Sequence, residues 1–323
     1  MNRELYQHLH NFGRVKMNEP LAKHTTFKIG GPAELLLVVE STEKLIEALR
    51  YLDGEGIPRF ILGGGSNMLA NDEGFKGVVI KIKTQAMEIL EGGIMADAGC
   101  ITVSVAQASM QNGFTGFEWG VGVPGTIGGA VRGNAGAMGA ETKDSVESVT
   151  VYSDGEVMEF SKAECEFGYR DSIFKHRSAV VLRVKLRLEK TENKELMKKA
   201  LEYLQYRNKT QPQGYASTGC VFQNVVPSKA GIQKEKLLQL FPEDADKITN
   251  FFAIDRISAG WLVEKAGMKG VRVGKALVSE THGNFVVNSG DATANDVQSL
   301  IEQVKEKVYD IVGVEIEEEI QIV

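Results

Sequence analysis

The sequence predicts an α+β protein built from two domains. Its 323 residues are enough for two domains of ~150 residues, each large enough to bury a core. Short apolar runs typical of strands alternate along the chain with segments whose apolar residues recur at helical spacing. Glycine supplies 35 residues, above the usual ~7 %, and it clusters in two short segments. This mixture of strands, helices and glycine-rich loops indicates an α+β fold.

The first domain is predicted to cover residues 21–190, after an N-terminal helical segment over residues 1–20. A serine at position 41, followed by apolar residues at helical spacing, predicts a capped helix directly after the first strand. The sequence Ser153-Asp-Gly-Glu156 predicts a hairpin turn. Apolar or alternating runs predict strands at 35–39, 57–62, 77–82, 146–160 and 178–188, and small residues at helical spacing predict a helix over 101–111.

The second domain, residues 191–323, is predicted to be the smaller one. The boundary is placed near residue 190 because the polar, helix-favouring stretch 189–206 changes the composition there. A strand at 284–288, a helix over 294–312 and a final strand over 314–323 are expected in it. In that final strand, alternation places Ile322 on a buried face and Glu319 on the opposite, solvated face.

Composition and charge exclude several classes of protein. With 37 Lys and Arg against 43 Asp and Glu, the net charge is −6, so the chain has no basic field for a nucleic acid. Cys100, Cys165 and Cys220 lie far apart in sequence and contain no CxxC pair, which argues against disulfides and a zinc site. No apolar run approaches the ~18 residues of a membrane span. We therefore expect a cytoplasmic monomer with no metal, nucleic-acid or membrane partner.

Two glycine clusters are the first candidate ligand-binding segments. One is Gly63-Gly-Gly-Ser-Asn67, which follows a predicted strand, and the other has nine glycines between Gly116 and Gly139. The second contains a literal GxGxxG at 120–125, but the preceding stretch looks helical and residues 124–129 look like continuing loop, so a Rossmann fingerprint is disfavoured. Glycine loops bring backbone N–H groups close to a ligand, and two of them suit a diphosphate. Considered singly, each could equally be a tight turn.

Three further side chains stand out, each with a structural alternative. Cys220, next to Val and Phe, is by composition more often a core cysteine. Arg170 lies among aromatic and apolar residues, where a partly buried guanidinium calls for a carboxylate, and an ion pair with Asp171 would satisfy it. The histidines have no metal-ligand spacing and are expected at the surface or in packing.

Six segments, in this order, resemble the UDP-N-acetylenolpyruvoylglucosamine reductases. The match runs through nearly the whole chain, and any one segment alone could be chance. The segments are His24-Thr-Thr-Phe-Lys-Ile-Gly-Gly-Pro-Ala33, Leu62-Gly-Gly-Gly-Ser-Asn-Met-Leu69, Gly122-Val-Pro-Gly-Thr-Ile-Gly-Gly-Ala130 with Asn134-Ala-Gly136, Tyr169-Arg-Asp-Ser172, Ala259-Gly-Trp-Leu-Val-Glu-Lys-Ala-Gly267 and the closing Glu-Ile.

The resemblance implies a fold, a cofactor and a reaction. The fold would be an FAD-binding domain of the vanillyl-alcohol oxidase (PCMH) type followed by a smaller α+β substrate-binding domain. The reaction would be reduction of UDP-N-acetylglucosamine enolpyruvate to UDP-N-acetylmuramate, in peptidoglycan synthesis, with NADPH as electron donor and noncovalent FAD. The cofactor-binding positions carried over are Gly63, Gly64, Gly65, Ser66, Asn67, Gly122, Pro124, Gly125, Thr126, Gly128, Gly129, Asn134 and Gly136.

The resemblance also implies the catalytic groups, with departures from the family pattern. Arg170 matches the active-site arginine, and Cys220 stands where the family usually has a proton-donating serine. Glu319 matches the active-site glutamate, although the motif Glu318-Glu-Ile320 leaves Glu318 open as an alternative. Substrate-binding positions carried over are Tyr169, Gln223 and Asn224, with Gln223 replacing a more usual lysine. The short span from Arg170 to Cys220 is similar to the family's shorter class, which lacks an extra substrate-covering loop.

Two other functions remain open from the sequence. One is a flavin oxidase with the same FAD-binding domain, acting on a hydroxy acid or sugar; oxygen consumption would identify it. The other is a non-catalytic protein that binds a nucleotide sugar, which only the change from Ser to Cys at position 220 favours.

Overall fold

A computed structural model describes residues 3–192 and 195–323 of the chain. Its α-helices, within those ranges, are α1 (Arg3–Leu9), α2 (Thr42–Gly54), α3 (Thr102–Gln111), α4 (Ile127–Arg132), α5 (Thr142–Ser145), α6 (Leu196–Thr210), α7 (Pro227–Ala230), α8 (Lys234–Leu240), α9 (Ala245–Ala253), α10 (Ala259–Lys265) and α11 (Ala294–Val312). Its strands there are β1 (Arg14–Pro20), β2 (Pro32–Val39), β3 (Arg59–Leu62), β4 (Met68–Leu69), β5 (Phe75–Ile82), β6 (Met87–Leu90), β7 (Gly93–Asp97), β8 (Phe114–Thr115), β9 (Gly136–Ala137), β10 (Ala140–Glu141), β11 (Val146–Ser153), β12 (Glu156–Ser161), β13 (Ala179–Arg187), β14 (Glu189–Lys190), β15 (Ala216–Cys220), β16 (Arg272–Val273), β17 (Ala276–Val278), β18 (Phe285–Asn288) and β19 (Gln321–Ile322). Short 3-10 helices lie at Leu21–His24, Glu118–Gly122, Ile173–Lys175 and Pro242–Asp244.

The chain forms two compact units, each made of several stretches of sequence. The first unit contains residues 1–20, 32–65 and 74–209, and the second contains residues 21–31, 66–73 and 210–323. This division differs from the predicted arrangement, in which residues 1–20 stood apart, one domain ran from 21 to 190, and the next began at 191.

Packing explains both differences. Helix α6 buries Leu196 and Ala200 in a core of the first unit, which moves the boundary from residue 190 to residue 209. The two short N-terminal stretches of the second unit supply Phe27, Ile29 and Leu69 to its core. Composition could not reveal these distant partners, because each stretch is only about ten residues long.

Two sheets form the framework of the first unit. One has the order β1-β2-β5-β3, in which β2, β5 and β3 are parallel and β1 is antiparallel to β2. The other has the order β12-β11-β13-β7-β6 and is antiparallel throughout. Helix α2 follows β2 as predicted: the Ser41 hydroxyl accepts a hydrogen bond from the Lys44 N–H at 3.3 Å, and the helix buries an apolar stripe that includes Leu45 and Leu49.

The N-terminal segment is helical only over α1, so the prediction of a helix through residue 20 is wrong. The second half forms β1, whose Arg14 lies opposite Val38 and whose Pro20 lies opposite Pro32. A Cβ on Gly13 would lie 2.2 Å from the Val38 carbonyl oxygen, so the approach to β2 requires glycine. The pairing depends on the main chain more than on apolar alternation, which is why periodicity did not reveal it.

The predicted hairpin is confirmed between β11 and β12. Asp154 and Gly155 both have positive φ, 52° and 85°, as a two-residue turn that matches the right-handed strand twist requires. The hairpin joins the edge strand β12 to its neighbour β11 in the antiparallel sheet.

The second unit is built on an antiparallel sheet of order β15-β18-β17-β16. Helix α11 has the predicted bounds. The reason is local: Thr293 and Asp296 form a capping box at its start, and Gly313 ends it in the left-handed conformation. None of the helices in the described part of the chain is long and apolar enough to cross a membrane.

The final strand is shorter than predicted, because only β19 forms, parallel to β4. Alternation of buried and exposed residues holds through Glu317 and then breaks at Glu318 and Glu319, and Ile322 is 42 % exposed rather than buried. The segment changes partners there. The Glu319 N–H donates to the Val221 carbonyl, whereas later residues bond to the segment around β4.

Candidate active site

The two glycine loops lie against each other in the first unit. A Cβ on Gly63 would lie 2.6 Å from Thr126 Oγ1, and a Cβ on Gly64 would lie 2.6 Å from the Gly125 Cα. Any side chain at either position would force the loops apart. No acceptor in the described parts of the chain takes a hydrogen bond from the N–H of Gly63 or Gly64. The loops therefore form a cradle with available N–H donors, which fits the diphosphate of a dinucleotide cofactor.

The second glycine loop contains a short helix, α4, where the sequence predicted continuing loop. Thr126 caps it, and its hydroxyl accepts a hydrogen bond from the Gly129 N–H at 3.3 Å. Gly128 is buried: a Cβ there would lie 2.7 Å from the Ala98 Cβ, and its N–H donates to the Ala98 carbonyl at 3.0 Å. Gly128, a cofactor-binding position implied by the resemblance, packs the helix against the end of β7 in the structure.

Other glycines of this loop contact the protein closely. A Cβ on Gly122 would lie 2.3 Å from Arg207 Cδ on α6, and a Cβ on Gly136 would lie 2.5 Å from the Ala140 carbonyl oxygen. Pro124 is exposed beside them. The contact between Arg207 and Gly122 was not predicted, because a polar residue on a polar helix gives no signal of its own. Only the glycine at position 122, which leaves room for the Arg207 side chain, could have indicated it.

Arg170 occupies a tight turn with positive φ, 55°. Its Nη2 donates to the Gly136 carbonyl at 3.1 Å, and its guanidinium carbon lies 5.3 Å from the centre of the Tyr169 ring. The Asp171 carboxylate, the alternative partner that the sequence offered, contacts His176 Nε2 at 2.9 Å. Arg170 is thus tied to the second glycine loop.

Asn134 is the residue that holds this turn. It is fully buried, its amide donates to the Gly168 carbonyl at 2.7 Å and to Glu141 at 3.0 Å, and its oxygen accepts from the Lys143 N–H at 3.0 Å. Asn134 is a cofactor-binding position implied by the resemblance, and in the structure its side-chain amide donates both hydrogens within the protein. The Ser172 hydroxyl adds a hydrogen bond to the Arg132 carbonyl at 2.7 Å. The arginine turn and the glycine loop therefore form one structure.

Cys220 lies at the end of β15, directly after a bulge. Ser217 pairs with Val287 and Cys220 with Phe285, so the register shifts between them, and Gly219 has a φ of +83°. Bulges of this kind commonly re-aim a side chain beside a site. Cys220 is half-buried, whereas burial of the other two cysteines raises the pKa of each thiol to about 11.

Glu318 and Glu319 have different environments in the second unit. Glu318 Oε1 lies 3.0 Å from Lys305 Nζ on α11, and this hydrogen-bonded carboxylate raises the pKa of Lys305. The backbone of Glu319 accepts a hydrogen bond from the Asn67 amide at 3.0 Å and donates to the Val221 carbonyl at 2.7 Å. The structure thus brings the backbones of Cys220 and Glu319 to neighbouring positions. The side chain of Asn67, assigned to the cofactor, bonds to the Glu319 carbonyl.

The two residues after Phe222 also bond to backbone. The Gln223 N–H donates to the Glu317 carbonyl at 2.9 Å, and the Asn224 side-chain oxygen accepts from the Ala259 N–H at 3.0 Å, at the start of α10. Gly65, Ser66 and Tyr169 are partly or fully buried, and each makes further contacts. Over residues 3–192 and 195–323, no cluster of His, Cys, Asp or Glu could hold a metal ion.

The fold and the glycine cradle define an FAD-binding protein. Residues 33–161 match the family model described as an FAD binding domain, and this stretch includes both glycine loops. Residues 211–323 match the model described as the C-terminal domain of UDP-N-acetylenolpyruvoylglucosamine reductase. The chain belongs to the family of UDP-N-acetylenolpyruvoylglucosamine reductases, an assignment that its relatives support over almost its full length.

Two relatives carry that name. The one from Caldanaerobacter subterraneus subsp. tengcongensis is 39 % identical over 313 residues, covering 96 % of this chain and 94 % of the relative. The one from Alkaliphilus oremlandii is 37 % identical over 312 residues, covering 96 % and 93 %. A crystal structure of UDP-N-acetylenolpyruvylglucosamine reductase from Thermus caldophilus is 32 % identical with a TM-score of 0.75, covering 96 % of this chain and 98 % of that one. The predicted α+β class with an FAD-binding domain is confirmed.

Proposed function

We propose that this chain is an FAD-dependent oxidoreductase that uses NADPH to reduce UDP-N-acetylglucosamine enolpyruvate to UDP-N-acetylmuramate, for peptidoglycan synthesis. One observation carries the proposal. In a chain that belongs to this reductase family, two glycine loops pack so closely that side chains are excluded, and two N–H groups there find no acceptor in the described residues. Such a cradle fits the cofactor that this reduction requires.

The cradle binds and orients the flavin. The N–H groups of Gly63 and Gly64 would hold diphosphate oxygens, and Gly125 allows their close approach. When bound, FAD would supply the hydride chemistry that the terminal vinyl carbon of the substrate requires, with NADPH as the electron donor. The reaction also requires stabilisation of the developing negative charge and one proton, and side chains supply both.

Arg170 is proposed to bind the substrate carboxylate. When hydride adds to the terminal carbon, the electron pair of the double bond moves toward the carboxylate, so negative charge develops there. A guanidinium fork matches a carboxylate in two parallel hydrogen bonds. Its turn is fixed by Asn134 and by the bond to Gly136, which supports a preorganised role at the developing charge.

Cys220 is proposed to complete the reaction as general acid. Its S–H proton goes to the carbon that bears the ether oxygen, and solvent then reprotonates the thiolate. A thiol with a reference pKa of ~8.5 is mostly protonated at neutral pH, and Cys220 is partly accessible. Glu319, in its protonated form, is proposed to donate a hydrogen bond to the same carboxylate, and Glu318 is disfavoured because it pairs with Lys305.

The chain is further proposed to act as a monomer in the cytoplasm. Cys100 and Cys165 are buried free thiols, which suits a reducing compartment. Tyr169, Gln223 and Asn224 remain proposed contacts for the nucleotide sugar.

The experiment is to follow NADPH consumption by the purified protein under anaerobic conditions, with and without the enolpyruvyl substrate. We expect rapid flavin reduction by NADPH and continued turnover only when substrate is present. Oxygen consumption with a sugar or hydroxy acid, without turnover of the enolpyruvyl compound, would instead identify a flavin oxidase. Absence of both activities in flavin-loaded protein would overturn the proposal.

A further inference from the structure

Asn284 is a buried polar residue, 3 % exposed, in the loop that leads into β18. Its side-chain amide donates to the Phe222 carbonyl at 2.8 Å, and its side-chain oxygen accepts from the Phe222 N–H, also at 2.8 Å. Its own carbonyl accepts from the Val221 N–H at 2.8 Å. One asparagine therefore makes three hydrogen bonds with the two residues that follow Cys220: it donates one and accepts two.

These bonds replace a ladder that ends at Cys220. The pairing of β15 with β18 shifts register between Ser217 and Cys220 and ends at the pair of Cys220 with Phe285, so the Asn284 side chain holds the chain directly beyond the last strand pair. Val221 and Phe222 are both buried, and loss of the Asn284 side chain would leave the N–H and the carbonyl of Phe222 without these two partners. An unsatisfied buried N–H or carbonyl costs ~1–3 kcal/mol, so the segment would move.

The same segment also carries the C-terminal glutamate. The Val221 carbonyl accepts from the Glu319 N–H at 2.7 Å, and the Gln223 N–H donates to the Glu317 carbonyl at 2.9 Å. Phe222 lies opposite Glu318 in this short antiparallel bridge. A displacement of Val221 would therefore reach Glu319 as well as Cys220.

The loop that carries Asn284 is packed tightly against α10. A Cβ on Gly283 would lie 2.5 Å from the Gly260 carbonyl oxygen in α10, and the Asn284 N–H donates to His282 Nδ1 at 3.2 Å. The loop is thus packed against the helix so closely that only glycine fits. Because its loop is held in this way, the Asn284 side chain can fix the position of the Phe222 main chain.

We propose that Asn284 is a positioning residue that sets the placement of both Cys220 and Glu319. It does not touch substrate; it acts through the backbone of Val221 and Phe222. The proposal rests on the proposed roles of Cys220 and Glu319 for its effect on catalysis, and on geometry alone for its effect on the environment of the Cys220 thiol.

The test compares Asn284→Asp with Asn288→Asp in the full-length flavoprotein. Aspartate keeps the size and one acceptor of Asn284 but cannot donate to the Phe222 carbonyl at neutral pH. Asn288 is a matched control, because its amide also donates to a backbone carbonyl, that of Phe27, at 3.2 Å in the same unit. Asn284→Ser, which retains one hydroxyl, serves if the aspartate variant does not fold.

Three quantities are measured for each variant: the two half-reactions, the pH profile of Cys220 alkylation by iodoacetamide read by peptide mass spectrometry, and the melting temperature. For Asn284→Asp we expect flavin reduction by NADPH within twofold of the parent, flavin reoxidation by substrate slowed ~10²-fold, and a displaced alkylation profile. Asn288→Asp should lower the melting temperature without either specific change, and Asn284→Ser should recover part of the reoxidation rate.

Two outcomes would overturn the proposal. One is a folded Asn284→Asp or Asn284→Ser protein with parental reoxidation and alkylation. The other is equal slowing of both half-reactions in proportion to lost stability, because that marks a structural role only. The variant Cys220→Ala tests separately whether Cys220 is the proton donor, because full activity in that variant would exclude this role. The alkylation profile of Asn284→Asp would still decide whether Asn284 fixes the position of the cysteine.

Discussion

Arg170 shows at the scale of one residue how backbone strain and side-chain chemistry are combined. A non-glycine residue at positive φ is held there at a cost of about 1–3 kcal/mol, and here the φ is 55°. The turn persists because Asn134 and Ser172 bond to its ends. The Lys175 ammonium adds a bond to the Arg170 carbonyl at 2.6 Å. Strain that three separate side chains maintain indicates that the position of the guanidinium matters.

Replacing this guanidinium should affect one half-reaction. Arg170→Ala should leave flavin reduction by NADPH nearly intact and slow reoxidation by substrate ~10²- to 10³-fold, the usual loss for one preorganised charge stabiliser. Stopped-flow absorbance measures both steps. Arg14→Ala is the control, because Arg14 pairs with Glu40 at the exposed surface. A variant equally slow in both steps would contradict the proposed role.

A substitution at Gly64 tests whether the two glycine loops bind the cofactor. A methyl group there would meet the Gly125 Cα at 2.6 Å, so Gly64→Ala should separate the loops and weaken FAD binding at least ~10-fold, or about 1.4 kcal/mol. Fluorescence titration of apoprotein with FAD measures this. Gly54→Ala is matched, because a Cβ at Gly54 meets nothing within 4 Å. Unchanged affinity in Gly64→Ala would argue against cofactor binding at this loop.

Glu318 and Glu319 are adjacent in the C-terminal segment but contact different elements. Glu318 reaches Lys305 on α11, while the backbone of Glu319 is bound by Asn67 and Val221. Because the Glu318 ion pair is partly exposed, it is worth ~0–1 kcal/mol.

Glu318→Gln should therefore lower stability by at most ~1 kcal/mol and leave reoxidation unchanged. Glu319→Gln should slow reoxidation ~10²- to 10³-fold. Stopped-flow kinetics and chemical denaturation measure the two effects. The reverse pattern would show that the active-site glutamate is Glu318, one residue earlier.

Helix α10 is held in place by a partly buried acidic group. The Asp244 carboxylate accepts from the Trp261 indole at 2.8 Å and lies 2.6 Å from Lys265 Nζ. Hydrogen bonds from Lys265 and then Trp261 hold the pKa of Asp244 well below its ordinary value of 3.8.

A lowered carboxyl pKa gives stability that is present above the unfolded-state value and lost as the pH falls through the folded-state value. Asp244→Asn should therefore destabilise the protein by ~1–3 kcal/mol at neutral pH, and the difference from the parent should shrink below pH 4. Urea unfolding at several pH values measures it. A difference independent of pH would mean that packing, rather than the charge, fastens the helix.

At the scale of the whole molecule, the glycine loops contain no histidine or cysteine for a covalent flavin bond. The protein should purify yellow with about one FAD, and acid or heat should release the flavin into the supernatant. An absorbance spectrum of supernatant and pellet decides the matter. Flavin that stays with the precipitate would exclude noncovalent binding.

Prediction from the sequence is correct where local signals decide the structure. Helix α11 has its cap, its stripe and its terminal glycine in its own residues, and the hairpin at Asp154 has its own turn. It fails where a distant partner decides the structure. Strand β1 depends on β2, helix α4 on packing of Gly128 against Ala98, and the roles of Asn134 and Asn284 on main-chain groups that are 34 and 62 residues away.

Because the second unit is discontinuous in sequence, the two units become able to fold at different times during synthesis. Residues 21–31 and 66–73 leave the ribosome early, but their core partners begin only after residue 210. All stretches of the first unit are available once residue 209 has emerged, so that unit can fold during translation. The second must wait and then close chain loops of more than a hundred residues, which is slow. A fragment that starts at residue 211 would lack Phe27, Ile29 and Leu69, so excising the matched C-terminal domain would leave a gap in its core.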